Sequence, residues 1–285
     1  MAVYEQSYRR YTGPLTPVGL RFLVIPRYAW KRLSGSKVLW MLLVASGLFT
    51  LGAATLIYLK HNTRALEALQ VQVGDLLPID AAFFQTFLGL QLGVAFLLVL
   101  VAGPALISMD TANGALPLYL ARPLSRAEYV GGKLTVLAAL LSPGTWVVTL
   151  GLFGLQTVLE GAAWGAANAR IAVAIFAGSW VWILVLSFLV LALSALIRWP
   201  LAVRGVLLVL FLVLPGFGQA FAQVLRTPWG HVLNPGADLS VALGSLFGRS
   251  VTGPPVAGAW LALGAIVAGS LLVIARKLRA YEVVT

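Results

Sequence analysis

The chain has 285 residues, of which 60% are hydrophobic and only 10% are charged, and its mean hydropathy is +0.93. A soluble domain carries about 25% charged residues, so this composition excludes an ordinary soluble protein and indicates an integral membrane protein. The net charge of +11 does not require a nucleic-acid partner, because the basic residues flank apolar runs, as the positive-inside rule predicts. The absence of cysteine excludes disulfides and thiolate chemistry.

The first 36 residues are predicted to form a cytoplasmic tail followed by an interfacial helix. Residues 1–17 are polar and lack the short apolar core of a cleavable signal. In residues 18–34, basic side chains alternate with apolar and aromatic ones, which favours an amphipathic helix lying in the membrane interface. Pro26 is predicted to kink this helix. The alternative is a basic juxtamembrane tail with no fixed shape.

Residues 37–285 are predicted to form a six-helix transmembrane domain. A membrane-crossing helix needs roughly 20 apolar residues, and six runs reach that length: Val38–Leu59, Ala82–Met109, Leu134–Leu159, Ile171–Ile197, Leu201–Leu225 and Val256–Ala275. No Asp, Glu or Lys lies in the middle of any run. Arg204 falls in the first turn of the fifth run, where its long side chain is predicted to reach toward the interface.

The distribution of basic residues predicts the orientation of the chain. Fifteen of the twenty lysines and arginines lie in the N-terminal part, the 110–133 loop, the turn between the fourth and fifth runs, and the C-terminal tail. The other five lie in the opposite loops. The basic excess places both termini in the cytoplasm, and an even number of spans agrees with that. We therefore expect a multi-pass protein of the cell membrane.

The loop of residues 226–255 is the longest predicted extracytoplasmic segment. Its portion Ala237–Phe247 is apolar but too short to cross a bilayer, which favours a re-entrant or interfacial helix before the sixth span.

The spans contain polar, small and proline residues. The polar and the small residues each have two interpretations. The polar residues are predicted to form hydrogen bonds between helices, or alternatively to line a substrate pathway; they are Gln85, Gln91, Gln156, Ser187 and Ser194. The Gly89–Gly93 pair suits close helix packing within the subunit or across a dimer. Pro104, Pro143 and Pro215 are predicted to kink spans two, three and five.

Several classes of chemistry lack their motifs. The sequence has no GxxxxGK[ST], GxSxG or HExxH, so we expect neither enzymatic activity nor a cofactor. His61 and His231 are far apart on predicted outer loops and are expected to be solvated, with no metal site. Ionisable groups at mid-membrane depth are typical of ion-coupled transporters, and their absence from the six runs argues against that class and against an intramembrane enzyme.

Residues 110–133 form the most polar interruption between two apolar runs. Asp110 ends the second run, and a Pro-containing turn at residues 122–126 precedes the third. A short helix joined tightly to two spans would act as a rigid lever, since a force on it would move both spans. The alternative is an ordinary cytoplasmic loop that is basic only because of membrane topology.

The segment GPALISMDTANGALPLYLARPLSRAEYVGGKL, together with the six-span layout, resembles the hallmark region of the type-2 ABC exporter permeases. In that family an acidic residue closes the second span, and a Pro-containing, Ser/Arg-rich turn leads to a Tyr and a Lys that introduce the third. The matching positions here are Asp110, Gly114, Leu116, Leu118, Arg122, Pro123, Ser125, Arg126, Tyr129 and Lys133. The chain differs in lacking a large extracytoplasmic domain and a fused ATPase.

The resemblance implies a permease subunit that pairs with a second permease copy or a paralogue and with separate cytoplasmic ABC ATPase subunits. The cytoplasmic coupling helix would then lie between spans two and three. It implies the following ATPase-contacting residues: Asp110, Leu118, Tyr119, Arg122, Pro123, Leu124, Ser125, Arg126, Glu128 and Tyr129. Asp110 would cap or pair within the loop, or would pair with a nearby arginine at the membrane edge. The alternative function is a membrane anchor or scaffold for a cytoplasmic partner, without transport.

Overall fold

The computed structural model describes residues 23–62, 78–115 and 125–279. All regular structure in these residues is helical, and six stretches are long and apolar enough to cross a membrane. This confirms an all-α, multi-pass membrane protein with six candidate spans. We number the spans 1 to 6; they are Lys37–His61, Ala81–Ala112, Arg126–Glu160, Ala169–Leu196, Pro200–Val224 and Val256–Leu278.

Contacts between span ends define two sides of the helix bundle. We call the side that holds Asp110 and Arg126 the loop side. At the opposite side, which we call the far side, spans 1 and 3 both end, and His61 Nε2 lies 2.7 Å from Glu160 Oε2. The expectation of a merely solvated His61 is therefore wrong, because its ring joins the ends of two spans.

Span 3 begins earlier than the hydrophobicity of the sequence indicated. Its first helix is Arg126–Leu141, so the polar residues 126–133 are helical rather than part of a loop. Span 2 likewise stays helical to Ala112. The predicted loop 110–133 is thus shortened from both ends, because capping and ion pairing let polar residues extend a helix beyond its apolar run.

Span 2 is broken at Gly103 and Pro104 into the helices Ala81–Ala102 and Ala105–Ala112. Pro104 has no N–H, so the carbonyl of Leu100 loses its helical donor. Arg204 supplies a substitute, since its Nε donates to that carbonyl at 3.2 Å. The side chain of Arg204 thus stabilises the break instead of simply reaching toward the interface. Gly103 also allows close packing, because a Cβ there would lie 2.6 Å from Val190 Cγ2 of span 4.

The break in span 2 is also tied to span 4 by a single hydroxyl. Ser194 Oγ accepts from the backbone N–H groups of Ile107 (3.0 Å) and Ser108 (2.8 Å) and donates to the carbonyl of Pro104 (2.9 Å). All three bonds are buried. The N–H of Ile107 lies in the first turn after the proline, where no helical carbonyl is available to it, and the Ser194 hydroxyl bridges the N–H of Ser108 to the carbonyl of Pro104.

We expect Ser194→Ala to lower stability by about 2 kcal/mol, because it leaves buried backbone donors without a partner. Thermal unfolding in detergent, followed by tryptophan fluorescence, measures the change. Ser187→Ala is the matched control, since Ser187 is buried in the same helix and its hydroxyl has no hydrogen-bond partner among the described residues. An equal loss in both variants would contradict the proposed tie.

The other two predicted kinks are confirmed as irregular turns. A π-helix covers Pro143–Val147 and divides span 3 into Arg126–Leu141 and Val148–Glu160. A second π-helix, Val209–Val213, divides span 5 into Pro200–Leu208 and Leu214–Val224. Each lies beside a proline, as expected where a backbone donor is missing.

The polar residues inside the spans have different roles. Gln91 joins spans 1 and 2, accepting from Ser46 Oγ at 2.8 Å and donating to Thr50 Oγ1 at 3.0 Å, and Gln85 accepts from Arg249 at 3.2 Å. Gln91 and Ser194 confirm the helix-linking interpretation, whereas the partner of Gln85 lies just after the end of a helix. Among the described residues, Gln156 donates to Glu160 of its own helix.

The Gly89–Gly93 pair is not used for packing within the subunit. A Cβ at either glycine would have no neighbour within 4 Å among the described residues, and both positions are exposed. The described residues therefore do not support packing of this pair within the subunit.

The N-terminal helix is Val24–Leu33, and it packs against the first helix of span 3. Pro26 does not kink it, because proline in the first turn displaces no helical hydrogen bond. Residues 1–22 of the predicted tail and interfacial segment lie outside the described residues. A further short helix, Ala162–Ala167, connects spans 3 and 4.

The segment between spans 5 and 6 folds back along the bundle. It contains a 3₁₀-helix, Pro228–Leu233, and an α-helix, Pro235–Phe247, which we call the hairpin helices. A Cβ on Gly230 would lie 2.5 Å from the carbonyl oxygen of Gly218. The backbone of the 3₁₀-helix therefore packs directly against span 5. The second hairpin helix then packs against spans 2, 4 and 6.

Candidate functional site

The structure describes half of the residues that the resemblance implies as contacts of an ATPase. These are Asp110, Ser125, Arg126, Glu128 and Tyr129. The other five lie outside the described residues, and they are Leu118, Tyr119, Arg122, Pro123 and Leu124.

Asp110 pairs across the two ends of the loop. Its Oδ2 lies 2.7 Å from Lys133 Nζ and accepts a hydrogen bond from the Tyr129 hydroxyl, also at 2.7 Å. Lys133 lies 5.4 Å from the centre of the Tyr129 ring. Because Asp110 lies in the last turn of span 2 and the other two residues lie in the first turns of span 3, this group, which we call the Asp110 cluster, joins the two spans.

The Asp110 cluster is largely shielded from solvent. Tyr129 is completely buried, and the side chains of Lys133 and Asp110 are only 9% and 19% exposed. Asp110 therefore pairs with a lysine of the next helix, whereas the two expectations for it were a partner within the loop and a nearby arginine. Tyr129 lies inside the bundle, so its observed contact is with Asp110 and it is better placed to position the loop than to touch a partner.

Ser125 and Glu128 form a reciprocal cap at the start of span 3. Glu128 N–H donates to Ser125 Oγ at 3.2 Å, and Ser125 N–H donates to Glu128 Oε2 at 2.6 Å. This capping box fixes where the helix begins. The sequence analysis missed it, although Ser125-Arg-Ala-Glu128 is the S-x-x-E pattern that predicts such a cap.

The cap and the Asp110 cluster lie in the two helices that flank residues 116–124, which are outside the described residues. The helix of span 2 ends at Ala112, the helix of span 3 begins at Arg126, and the buried ion pair holds the two helices together. The two spans are therefore joined directly at their loop-side ends. The short helix that the sequence predicts as a lever lies outside the described residues.

A second site was not anticipated from the sequence. Asp238, in the second hairpin helix, is completely buried, and neither of its carboxyl oxygens has a hydrogen-bond partner among the described residues. Burial in these apolar surroundings raises the pKa of Asp238 from 3.8 to about 7. The carboxyl group therefore keeps its proton to a higher pH than an exposed aspartate does.

Asp238 lies deep in the bundle. The second hairpin helix runs antiparallel to span 4, since Arg170 at the start of span 4 donates to the carbonyls of Ser245 and Leu246, and a Cβ on Gly178 would lie 2.3 Å from Leu243 Cδ2. At 1.5 Å per residue, Asp238 is roughly 7 Å further from the far side than Leu243. The sequence contains a signal for this site, because Asp238 is an acidic residue within the short apolar run Ala237–Phe247.

Comparison of the chain with models of known protein families and with curated proteins finds no match.

Proposed function

We propose that this chain is the membrane-spanning permease subunit of an ATP-binding cassette exporter, in which a separate cytoplasmic ATPase drives movement of a substrate across the membrane. The observation that carries the proposal is the Asp110 cluster, because it joins the last turn of span 2 to the first turns of span 3. The resemblance of residues 103–134 to the type-2 permeases supports the same function. On this proposal, the coupling loop of residues 110–133 contacts the ATPase.

The path of the force continues from the loop into the bundle. Closure of the ATPase pushes the coupling helix, and the buried ion pair between Asp110 and Lys133 passes that displacement to spans 2 and 3 together. The short second helix of span 2 then moves relative to the first helix of that span, at the break at Pro104. The hydrogen bonds of Ser194 transmit this displacement to span 4. Helices that are broken and re-bonded in this way accommodate rearrangement without leaving backbone groups unpaired.

The proposed orientation places the loop side and both termini in the cytoplasm, since fifteen of the twenty basic residues belong to the segments assigned to that side. The N-terminal helix then lies in the cytoplasmic membrane interface, and the hairpin helices form a re-entrant element in the extracytoplasmic half. A second permease copy is supported by the exposed glycines Gly89 and Gly93 on span 2.

We expect Arg126→Glu to reduce ATPase co-purification and transport-coupled ATP hydrolysis at least about tenfold, because it reverses a charge beside the coupling segment. The measurement is affinity purification of the tagged chain from its native membrane with a trapped nucleotide analogue, followed by ATPase assay of the complex in liposomes. Arg198→Glu is the matched control: Arg198 is an exposed arginine in the loop-side turn between spans 4 and 5.

If an ATPase with a phosphate-binding loop never co-purifies with the unmodified chain, the permease proposal is wrong and the anchor or scaffold function takes its place. If Arg126→Glu and Arg198→Glu reduce hydrolysis equally, the effect comes from surface charge in general and the coupling assignment fails. A charge reversal that abolishes protein expression is distinguished by Arg126→Gln, which removes the charge without introducing repulsion.

A further inference from the structure

A cavity of about 210 Å³ lies on the loop side, between the N-terminal helix, the break in span 2 and the start of span 3. Part of its wall is apolar, formed by Ile25, Leu33 and Leu106. The remaining wall carries charged side chains from three elements: Arg32, Asp110 and Lys133. The cavity is therefore amphipathic, with an apolar wall and a polar edge.

The polar edge has an excess of positive charge. Asp110 is already paired with Lys133, so these two charges cancel. Arg32 has no ion pair with any described residue, and its guanidinium donates only to the sulfur of Met109. A thioether is a weak acceptor and carries no charge, so the cation at this edge is not neutralised by the described part of the chain.

We propose that this cavity binds one anionic membrane phospholipid, with its phosphate against Arg32 and one acyl chain along Ile25, Leu33 and Leu106. The apolar wall matches the acyl chain of a phospholipid, and the unneutralised guanidinium matches its phosphate. A free anion would make no contact with the apolar wall. Basic pockets between transmembrane helices at the membrane surface are suited to acidic headgroups.

The site has a structural consequence for the chain. Arg32 belongs to the N-terminal helix, and the cavity also contacts Asp110 and Ala105 of span 2. A lipid bound there bridges the N-terminal helix to the Asp110 cluster and holds the helix against the bundle. The inference depends on the proposed position of the N-terminal helix in the membrane interface, but not on the presence of an ATPase.

The test uses the purified full-length chain in a neutral detergent. Its melting temperature is followed by tryptophan fluorescence during titration with dioleoyl phosphatidylglycerol, dioleoyl phosphatidylcholine or inorganic phosphate. We expect phosphatidylglycerol to raise the melting temperature saturably, because a ligand that binds only the folded state stabilises it. The zwitterionic lipid and inorganic phosphate should produce little change.

Two variants and one control locate the site. Arg32→Gln should weaken phosphatidylglycerol binding about tenfold, since a lost charge-assisted contact is worth roughly that factor. Ala29→Phe should weaken it by filling the cavity while leaving every charge in place. Arg27→Gln is the control, because Arg27 is an exposed arginine of the same helix that does not line the cavity.

Three results would overturn the proposal. Equal stabilisation by both lipids would show that the charge plays no part, and stabilisation by inorganic phosphate alone would show that no lipid is needed. An equal effect of Arg27→Gln and Arg32→Gln would show only general attraction to a basic helix. Because no ATPase is present in the assay, these results leave the proposed permease function untouched.

Discussion

Replacing Asp238 with asparagine should remove a large part of the pH dependence of this protein's stability. The folded chain holds the proton of Asp238 with a pKa of about 7, whereas an exposed aspartate has 3.8. The stability that the bound proton provides is therefore fully present below the unfolded value and is lost as the pH rises through about 7. One pKa unit corresponds to 1.36 kcal/mol, so the loss is on the order of 4 kcal/mol.

The measurement is the melting temperature in detergent at intervals between about pH 5 and pH 8. The unmodified chain should become less stable across this range, and Asp238→Asn should remain nearly constant, because the amide resembles the protonated carboxyl and cannot ionise. Asp80→Asn is the matched control: Asp80 is exposed and caps span 2 through its side chain, and asparagine caps equally well.

The neighbouring charged groups do not supply an alternative explanation for such a result. Arg170 bonds the carbonyls of Ser245 and Leu246, and Arg249 bonds Gln85. His231 is the titratable residue of the adjoining 3₁₀-helix, and His231→Gln should leave the slope with pH in place. A stability that rises with pH in the unmodified chain would show that Asp238 is ionised and paired, and would contradict the prediction.

Lys133→Gln should destabilise the chain by about 3 kcal/mol and uncouple the loop from the bundle, because it leaves the carboxylate of Asp110 without its countercharge in a largely buried position. The double variant Asp110→Asn/Lys133→Gln should recover much of this loss, since it removes both charges. The stabilities of the four chains form a double-mutant cycle that isolates the pair.

The control for this cycle is Lys37→Gln, an exposed lysine on the same side of the bundle, which should change stability by less than about 0.5 kcal/mol. Coupling is read separately, as ATP hydrolysis by the complex. A double variant that is stable but uncoupled would support the role of the pair as a mechanical link. A loss in the double variant equal to the sum of the losses in the two single variants would show that the pair contributes nothing.

The number and approximate positions of the six spans followed from the sequence, because a run of about 20 apolar residues is stable in the hydrocarbon core of a bilayer. The hydrogen-bonding role of Gln91 and the irregular turns at Pro104 and Pro143 could also be predicted, since each depends on a single residue type within an apolar run.

The contacts at the loop could not be predicted in the same way. Asp110 and Lys133 were recognised as residues of one segment, but their pairing depends on where two helices end and on the angle at which those helices meet. The sequence placed Tyr129 at a partner surface, and the fold buries it. The direction of a side chain at the start of a helix depends on where the cap sets the first residue. Ser125 sets that residue for the helix that contains Tyr129.

The sequence alone determined that this protein resides in a membrane, with six apolar segments joined by polar ones, because transfer of apolar surface from water is a property of each segment by itself. Only the tertiary structure decided that Asp238 is buried without a hydrogen-bond partner among the described residues and that Arg32 borders a cavity. It also decided that Arg204 and Ser194 form hydrogen bonds with backbone groups beside the break in span 2. These are relations between residues that are distant along the chain, and they depend on how the helices pack rather than on the composition of any one of them.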